Sequence, residues 1–371
     1  MKVLHILDTL QRGGVAMLML DVCRNAAANN LELTLVATGG GDLEEDFRVS
    51  GIEFIRLRRR YPFDPLVVAK LREIIRQRNI QVVHAHQAVE ALHAYFATRG
   101  TNVKRALSFH GCVFDARNKL ALKFLIPRMN TNIAVSRAYL SRLKTEEGFN
   151  TSKNFRVVYN GVDMTRLPTT SRHRLRAELK LREDDMLLGM VGNFYPGVRK
   201  DQLTICRALP QTFAHTPNAH FVFVGGRSSI APELQDDCVS YCRAQVIDGR
   251  VHFLGQRADV PDVLSALDIF VLSSTEDTFG IAVVEAMAMG LPVIVSDIPP
   301  LIEVTGNGEY ALSFRAQDAE DLAQKLLSLI NNPAARAQLG AKARAWASQQ
   351  FGIDAYIARL IILYNEMIRA T

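Results

Sequence analysis

The stretch LDIFVLSSTEDTFGIAVVEAMAMGLPVIVSD, residues 267–297, decides the fold class of this 371-residue chain. Its two ends, LDIFVLSS and LPVIVSD, are short apolar runs of the kind that form buried strands. Between them, Ile281, Val284, Met287 and Ala288 recur at helical spacing. A buried strand, a helix and a second buried strand predict a βαβ unit, in which parallel strands are covered by the helix.

The same alternation fills the rest of the chain and predicts two α/β domains. The apolar runs are KVLHIL, LELTLVAT, IEFIRL, IQVVHAH, RALSFHG, TNIAVS and FRVVYN in the first part, then MLLGMVGN, AHFVFVGG and RVHFLGQ before the opening stretch. A polar helical segment at 164–185 separates the two series. We therefore expect two doubly wound parallel sheets, in domains 1–165 and 166–352. The closing segment, residues 353–371, is a long amphipathic helix that needs a surface for its apolar stripe.

Composition predicts a folded cytosolic protein with an uneven charge. No apolar run is long enough to span a bilayer, and the opening MKVLHILDTLQRGG is typical of a strand rather than a signal peptide. The five cysteines are irregularly spaced, which favours reduced thiols. Residues 1–165 hold 24 Lys and Arg against 15 Asp and Glu, while the remainder holds 20 against 23. The basic half suggests a membrane surface, a phosphorylated lipid or nucleic acid as partner, or ordinary solvated cations.

Ligands of parallel α/β sheets bind at the carboxyl ends of the strands. The residues that directly follow the predicted strands are therefore the functional candidates, and two facing domains would bring them to a cleft between the domains. They are Gly13-Gly14, His86, His110-Gly111, Asn160-Gly161, Gly192-Asn193, Gly225-Gly226, Gly255-Gln256 and the acidic segment 276–277.

The ordered set RGGVAMLMLD, VVHAH, SFHG, VYNGVD, VGNFYPGVRKDQ, FVFVGG and EDTFGIAVVEAMAMGLPVIVSD resembles the retaining GT-B glycosyltransferases of family 4 type. This group includes bacterial mannosyl- and glucosyltransferases of cell-surface glycans, and the resemblance covers essentially the whole chain. It implies transfer of a hexose from a UDP- or GDP-linked donor to a lipid-linked or growing glycan. It also implies that the last helix crosses back onto the first domain, and that the protein works at the inner face of the cell membrane.

The most specific part of the resemblance is an E-x7-E-like motif. Glu285 matches the second acid, which in the family binds the ribose. The position eight residues earlier is Asp277, with Glu276 beside it. The alignment favours Asp277 as the catalytic acid that contacts the donor sugar, and Glu276 is the alternative. The main-chain N–H groups around Phe279, Gly280 and Ile281 begin a helix and can bind a phosphate or a sugar hydroxyl.

The basic loop GNFYPGVRKDQ is the second constellation. Family members carry an Arg after the glycine and a Lys about five residues further on. Here Asn193 takes the first position, Lys200 matches the family lysine, and Arg199 could replace the missing arginine from a longer loop. The chain has no Asp-x-Asp pair in a suitable loop. We therefore expect cationic side chains, rather than a metal or a cofactor, to balance the diphosphate of the nucleotide sugar.

The first half supplies the third constellation. His110 in SFHG matches the family histidine beside the reacting centre, where it is expected to act in catalysis. Gly14 is expected to approach the donor, while Gly13 and His86 are acceptor-binding candidates and His84 packs among the strands. A tight turn explains the glycine pair equally well.

The sequence also indicates a possible binding partner for the basic half. The segment RNKLALKFLIPR, Arg117–Arg128, is either a membrane-surface helix or an ordinary packed helix. The resemblance favours an anionic membrane over nucleic acid as partner of the basic half.

The rival functions are a nucleotide-sugar 2-epimerase on the same fold and a catalytically silent sugar-nucleotide-binding protein. A dinucleotide dehydrogenase is disfavoured, because no strand precedes G-x-G-x-x-G.

Overall fold

A computed structural model describes residues 1–111, 115–167, 172–195 and 199–370 of the chain. The chain forms two compact units. Unit 1 comprises residues 1–163 and 351–371, and unit 2 comprises residues 164–350. These boundaries lie two residues before the expected ones at 165 and 352, and they place the closing helix with unit 1.

Unit 1 contains a seven-stranded sheet in the order β3-β2-β1-β4-β5-β6-β7, in which every neighbouring pair is parallel. Nearly all residues of the central strands are buried, which is why these strands are continuous apolar runs in the sequence. The strands are β1 Lys2–Leu7, β2 Glu32–Ala37, β3 Glu53–Arg56, β4 Val82–Ala85, β5 Lys104–Phe109, β6 Thr131–Ala134 and β7 Phe155–Val157.

Helices connect these strands, as parallel pairing requires. They are α1 Gly14–Asn25, α2 Glu44–Arg48, α3 Pro65–Gln77, α4 Ala88–Thr98, α5 Ala116–Leu125 and α6 Arg137–Thr145. The last helix of the chain, Ile353–Arg369, also packs in unit 1, where main-chain hydrogen bonds join Val162 to Phe351 and Ile353. Its buried side chains include Tyr356, Leu360 and Tyr364.

Unit 2 contains a six-stranded parallel sheet in the order β10-β9-β8-β11-β12-β13. Its strands are β8 Met186–Val191, β9 Ala219–Val224, β10 Val251–Phe253, β11 Ile269–Leu272, β12 Val293–Ser296 and β13 Leu312–Phe314. Its helices are α7 Arg172–Glu178, α8 Gln202–His215, α9 Glu233–Ala244, α10 Val260–Ala266, α11 Ile281–Ala288, α12 Pro299–Val304, α13 Ala319–Ile330 and α14 Pro333–Phe351, so that the closing helix is α15.

All twelve predicted strands are present, and the opening stretch forms the predicted unit β11-α11-β12 with parallel strands. The sequence did not predict β13, which has only three residues. Helix α11 is buried on nearly every side, including Val283, Glu285 and Ala286, rather than on one stripe. A carboxylate inside such a helix requires a partner. In the parts of the chain that the structure describes, none of the helices combines the length and apolarity that crossing a bilayer demands.

Candidate functional site

In unit 2, main-chain hydrogen bonds fasten the loop after β8 to the loop after β11. Lys200 and Ser274 form an antiparallel bridge. The carbonyl oxygen of Arg199 accepts hydrogen bonds from the N–H groups of Thr275 at 3.0 Å and Glu276 at 3.4 Å. This pairing brings the two cations of the first loop to the acids of the second.

The start of helix α8 fixes the position of Lys200. Asp201 is the N-cap of that helix, and its carboxylate accepts hydrogen bonds from the N–H of Thr204 at 3.1 Å and from its hydroxyl at 2.6 Å. A methyl group at Gly192 would lie 3.7 Å from two carbons of the Lys200 stem. The stem of Lys200 therefore lies over the end of strand β8.

Asp277 receives three donors in this loop. Its Oδ2 forms an ion pair with Lys200. Its Oδ1 accepts hydrogen bonds from the N–H groups of Thr278 at 2.7 Å and Phe279 at 3.2 Å. Burial by itself would raise the pKa of Asp277, but the charge and hydrogen bond of Lys200, together with the two N–H groups, hold the pKa below its ordinary value. Asp277 is therefore an ionised group at the entrance to helix α11.

Glu276 points to the other cation of the pair. Its Oε2 lies 3.9 Å from Nε of Arg199, and both side chains are about one quarter exposed, at 24% and 27%. The structure thus gives each of the two candidate acids its own cation. Of the two, Asp277 is the acid that binds the main-chain N–H groups next to the helix.

The start of helix α11 depends on a glycine. Gly280 is the N-cap and has φ +88°, a left-handed conformation that side chains rarely adopt. A methyl group there would lie 2.7 Å from Leu301, so Gly280 is required by space as well. The side chain of Phe279 is buried, and Ile281 opens the helix with its first-turn N–H groups at the carboxyl end of the sheet.

Glu285 lies one turn further along α11. Its Oε1 forms an ion pair with Arg166, which ends a short 3-10 helix at Met164–Arg166. The side chains of Arg166 and Glu285 are 15% and 9% exposed, so the pair is partly screened from water. Sequence reasoning missed Arg166, since 119 residues separate it from its partner.

Asn193 has a different environment from the two cations. Its side-chain oxygen accepts a hydrogen bond from the N–H of Gly226 at 2.7 Å, and its amide nitrogen donates to the Tyr195 hydroxyl at 3.3 Å. A methyl group at Gly225 would lie 2.1 Å from the carbonyl oxygen of Gly192, so the two strand ends touch. Asn193 therefore joins the ends of β8 and β9 through its side chain.

In unit 1, Gly13 and Gly14 form the turn between β1 and α1. Gly13 is the N-cap in an extended conformation, and Gly14 is the first residue of the helix. The N–H of Arg12 donates to the carboxylate of Asp42 at 2.7 Å, which fixes the chain before the turn. The helix consequently presents its first N–H groups at the carboxyl end of the sheet.

A run of hydrogen bonds between side chains, which we call the histidine chain, joins strands β1, β4 and β5, the residues that follow β4 and β5, and helix α15. Its five links have lengths of 2.7, 2.6, 3.1, 2.9 and 3.0 Å. In order, its members are Ser108, His84, Tyr364, His5, His86 and His110.

Burial keeps the histidines of this chain uncharged. It lowers the pKa of His110 to about 4 and, with the charge of His110, that of His5 to about 3. Burial and the neighbouring histidines also hold the pKa values of His84 and His86 well below 6.5. His86 is only 2% exposed, and its two nitrogens contact His5 and His110. His110 is thus the partly exposed end of a neutral network, and His86 lies behind it.

Two family models match the chain. "Glycosyltransferase Family 4" matches residues 12–166, and "Glycosyl transferases group 1" matches residues 185–332. The chain is 24% identical over 319 residues to N-acetyl-alpha-D-glucosaminyl L-malate synthase of Bacillus anthracis, which covers 83% of this chain and 80% of that protein. It is 28% identical over 320 residues to a GDP-mannose-dependent phosphatidylinositol monomannoside mannosyltransferase of Corynebacterium glutamicum, with 81% of each chain covered.

Solved structures show the same fold. Anabaena HepE, crystallised with UDP and glucose, has a TM-score of 0.86 at 20% identity and covers 98% of this chain and 99% of its own. Sucrose-phosphate synthase of Thermosynechococcus elongatus has a TM-score of 0.81 at 18% identity over the full length of both chains. Two parallel α/β units with these neighbours define the GT-B fold of glycosyltransferases. The chain belongs to the family 4 type of these enzymes, as its motifs predicted.

Proposed function

We propose that this enzyme is a retaining hexosyltransferase that moves a hexose from a UDP- or GDP-linked donor to a lipid-linked or growing cell-surface glycan. The proposal depends above all on two cations, Arg199 and Lys200, held against Glu276 and Asp277 beside the start of helix α11. A diphosphate needs concentrated positive charge, and sugar hydroxyls need strong acceptors. This cluster offers both within unit 2.

Lys200 can serve the diphosphate without releasing Asp277. An ammonium group has three N–H donors, and the ion pair uses one of them. Two donors therefore remain for phosphate oxygens. Asp277 has roughly four acceptor positions, of which the two N–H groups and Lys200 use three among the described residues. One position remains for a sugar hydroxyl, which favours Asp277 over Glu276 as the first acid of the motif.

Glu285 fits the role of ribose ligand. In the described contacts Arg166 engages only its Oε1, and a carboxylate that binds a diol needs both oxygens or one oxygen twice. Arg166 pairs with the Glu285 carboxylate within a buried helix, and the second carboxylate oxygen is proposed to accept hydrogen bonds from the ribose. Asn193, whose side chain joins two strand ends, contributes by shaping the loop that carries Arg199 and Lys200.

The transfer step proceeds on one face of the sugar. The acceptor hydroxyl oxygen bonds to the anomeric carbon while the bond from that carbon to the diphosphate oxygen breaks. The proton of the acceptor hydroxyl passes to the departing phosphate oxygen. Lys200, Arg199 and the N–H groups at the start of α11 stabilise the charge that develops on the diphosphate. His110 provides a polar contact for the sugar from the neutral histidine chain.

Since side chains supply this positive charge, transfer should need neither a divalent metal nor another cofactor. Turnover in excess EDTA should equal turnover without it. Complete loss of activity that magnesium restores would contradict the role of Lys200 and Arg199 as the counter-charge.

The donor and the configuration can be tested together. A thermal-shift screen of UDP- and GDP-hexoses should show one nucleotide class that stabilises the protein, by roughly 2.7 kcal/mol at 100 times its dissociation constant. The stabilising donor is then incubated with synthetic undecaprenyl-diphosphate-linked acceptors, a choice guided by relatives named for such acceptors in Campylobacter jejuni and Escherichia coli. NMR of the product should show the anomeric configuration of the donor. An inverted product, or stabilisation by no nucleotide sugar, would contradict the proposal.

The acceptor is proposed to reach the enzyme at an anionic membrane surface. Unit 1 carries what we call the aromatic strip, formed by Phe63, Phe96, Tyr95 and Phe124, whose successive ring centroids lie 5.2–5.4 Å apart. The guanidinium of Arg128 lies 4.0 Å from the Phe124 ring centroid. Aromatic rings combined with cations suit the interface of an anionic bilayer.

Exposed residues extend the strip at both ends. Tyr61 is 66% exposed next to three arginines at 58–60, and Leu66 is 64% exposed. On α5, Leu120 is 71% exposed, whereas Leu122 and Leu125 are buried, so one face of this helix packs while another meets solvent.

A vesicle assay tests the membrane proposal. Binding to vesicles should rise with their content of phosphatidylglycerol and fall with salt. Leu120→Ser should weaken it, while Val49→Ser, which removes an equally exposed apolar side chain away from the strip, should not. Equal binding by the two variants would contradict a membrane role for the strip.

A further inference from the structure

The histidine chain holds enough contacts to fix where its protons lie. It starts on strand β5, passes through β4, helix α15 and β1, and returns by the residue after β4 to the residue after β5. Helix α15 supplies its only phenol among the described residues. Each of its five links joins two heteroatoms and can contain one proton. A neutral imidazole carries one N–H, so each histidine donates on one side and accepts on the other.

Tyr364 couples the two halves of the chain. Its hydroxyl contacts Nδ1 of His84 and Nε2 of His5, but it has a single proton. It therefore donates to one histidine and accepts from the other. If every link is satisfied, only two arrangements exist. Either all four histidines carry the proton on Nε2, or all four carry it on Nδ1.

The distances select the first arrangement. The Tyr364 oxygen lies 2.6 Å from His84 Nδ1 and 3.1 Å from His5 Nε2. An N–H donor gives distances of about 2.7–3.2 Å and an O–H donor about 2.5–3.0 Å, so 2.6 Å fits an O–H donor and 3.1 Å an N–H donor. The 2.7 Å link from the Nε2–H of His84 to the Ser108 hydroxyl stays within the N–H range. Tyr364 thus donates to His84 and accepts from the Nε2–H of His5. The proton directions of His86 and His110 follow from that choice.

We propose that Tyr364 and His5 are positioning residues that, through His86, hold His110 as its Nε2–H tautomer, with a lone pair at Nδ1. His110 then presents an acceptor, and not a donor, at Nδ1. The low pKa values of these histidines support the assignment, since a protonated ring would donate on both sides and break the order. The arrangement of protons belongs to unit 1 alone, and only its consequence for catalysis rests on the proposed function.

A metal site is the competing interpretation of the same residues. One ligand atom each of His5, His84 and His86 lies within 4.8 Å of the others. Two nitrogens on one tetrahedral zinc at 2.0–2.1 Å are roughly 3.3 Å apart. His5 Nδ1 and His86 Nε2 are 2.9 Å apart, which is the length of a hydrogen bond with one shared proton. The geometry therefore favours the hydrogen-bonded chain.

Long-range ¹H–¹⁵N NMR on histidine-labelled protein tests the proposal directly, because the ¹⁵N shifts of Nδ1 and Nε2 identify the protonated nitrogen. In the unliganded wild-type protein, His5, His84, His86 and His110 should all show a protonated Nε2 and an unprotonated Nδ1. A mixed pattern, or protons on Nδ1, would overturn the proposal. So would one equivalent of zinc that survives dialysis and shifts these signals.

Tyr364→Phe tests the coupling. Without the hydroxyl, the Nε2–H of His5 loses its acceptor, so His5 and His86 should move their protons to Nδ1 and pass the change to His110. Tyr356→Phe is the matched control, since it removes a buried hydroxyl from the same helix that bonds to no histidine among the described residues. The His110 signals should change only in Tyr364→Phe. Should that variant not fold, the wild-type pattern still decides the assignment.

Kinetics separates this inference from the proposed function. If the Nδ1 acceptor of His110 contacts the sugar in the transition state, Tyr364→Phe should lower kcat by roughly tenfold with KM nearly unchanged. Unchanged kcat together with the expected NMR change would remove the catalytic consequence and leave the tautomer assignment intact. A wild-type protein without transferase activity would contradict the proposed function, whereas the NMR result would stand independently.

Discussion

The two units put opposite chemistry at the carboxyl ends of similar parallel sheets. Near the carboxyl ends of its strands, unit 1 carries the histidine chain, whose side chains are neutral and form hydrogen bonds to one another. Unit 2 ends in ion pairs, with Lys200 on Asp277 and Arg166 on Glu285. The difference shows that the strand ends of similar sheets can be occupied either by hydrogen-bonded neutral side chains or by ion pairs.

The groups at the strand ends of each half do not follow the net charge of that half. Residues 1–165 carry the excess of Lys and Arg, yet their strand ends form an uncharged interior network. The remainder is slightly acidic, yet it holds cations beside the start of a helix. Net charge reports on the solvent-exposed surface and its partners. The chemistry of a site depends instead on which side chains the strand ends bring together.

Acid should unfold unit 1 before unit 2, and this is the largest effect that we expect. His5, His84 and His86 have folded-state pKa values below their ordinary 6.5, so the unfolded state takes up protons first as the pH falls. The stability that they contribute is complete above pH 6.5 and is lost below it. Each contributes about 1.4 kcal/mol per pH unit in that range.

Glu90 of unit 1 acts in the opposite direction. Burial raises its pKa to about 7, so its contribution is present at low pH and is lost as the pH rises toward 7. The lowered pKa values of four histidines, His5, His84, His86 and His110, outweigh the raised pKa of one carboxyl, so unit 1 should lose stability as the pH falls below 6.5. Hydrogen exchange followed by peptide mass spectrometry should show faster exchange in unit 1 than in unit 2 over this range. His86→Gln should flatten the pH dependence, while His215→Gln, at an exposed position, should not. Equal loss in both units would refute the contrast.

The next largest effect concerns the charge that unit 2 supplies. Lys200→Met should lower kcat by roughly 10²–10³-fold, the usual cost of losing one donor to a developing negative charge. Lys200→Arg should retain part of the rate, because arginine keeps the positive charge but does not place it at the same position as the lysine ammonium.

Steady-state rates with a saturating donor measure this loss. Lys325→Met is the matched control, since Lys325 lies on α13 with its Nζ 3.9 Å from Asp321 and outside the strand ends. A Lys200→Met enzyme as active as this control would show that the diphosphate is balanced elsewhere.

The fold followed from the sequence because buried parallel strands are continuous apolar runs, each readable without its neighbours. Strand β13 was missed since its three residues, Leu312–Phe314, give too short a run. The strand-end rule also selected His110 and Asp277, whereas Lys200 and Glu285 were selected by the resemblance to the family motifs.

Contacts between residues far apart in the chain could not be predicted from the sequence. Tyr364 contacts His5, which is 359 residues away in the sequence, and Arg166 contacts Glu285, which is 119 residues away. No periodicity links such pairs, since tertiary packing brings them together. The alignment of the opening stretch already favours Asp277 over Glu276, and the loop geometry adds the contacts that distinguish the two acids.

Glu285→Gln should have the third largest effect. If Glu285 binds the ribose, the variant should weaken both the nucleotide sugar and the bare nucleotide diphosphate by roughly 1.5–3 kcal/mol, the contribution of a hydrogen bond to a charged group. Isothermal calorimetry with the bare diphosphate measures this change. Glu320→Gln, in the first turn of α13, is the control. Unfolding of the free variant must also be followed, because Arg166 would lose its buried partner. Unchanged diphosphate affinity would assign the ribose to another group.

The smallest effect distinguishes the two adjacent acids. Asp277→Asn keeps the shape of the loop but removes the charge that pairs with Lys200, and it replaces one acceptor oxygen by a donor. We expect kcat to fall by roughly tenfold while the affinity for the bare diphosphate stays nearly constant, because Asp277 is proposed to contact only the sugar. Glu276→Gln should change neither quantity by more than about twofold, since its contact with Arg199 is long at 3.9 Å and partly exposed to solvent. Initial rates and diphosphate calorimetry on both variants provide the comparison. The reverse pattern, with an inactive Glu276→Gln and an unaffected Asp277→Asn, would move the first acid of the motif by one residue and make Arg199–Glu276 the working pair of unit 2.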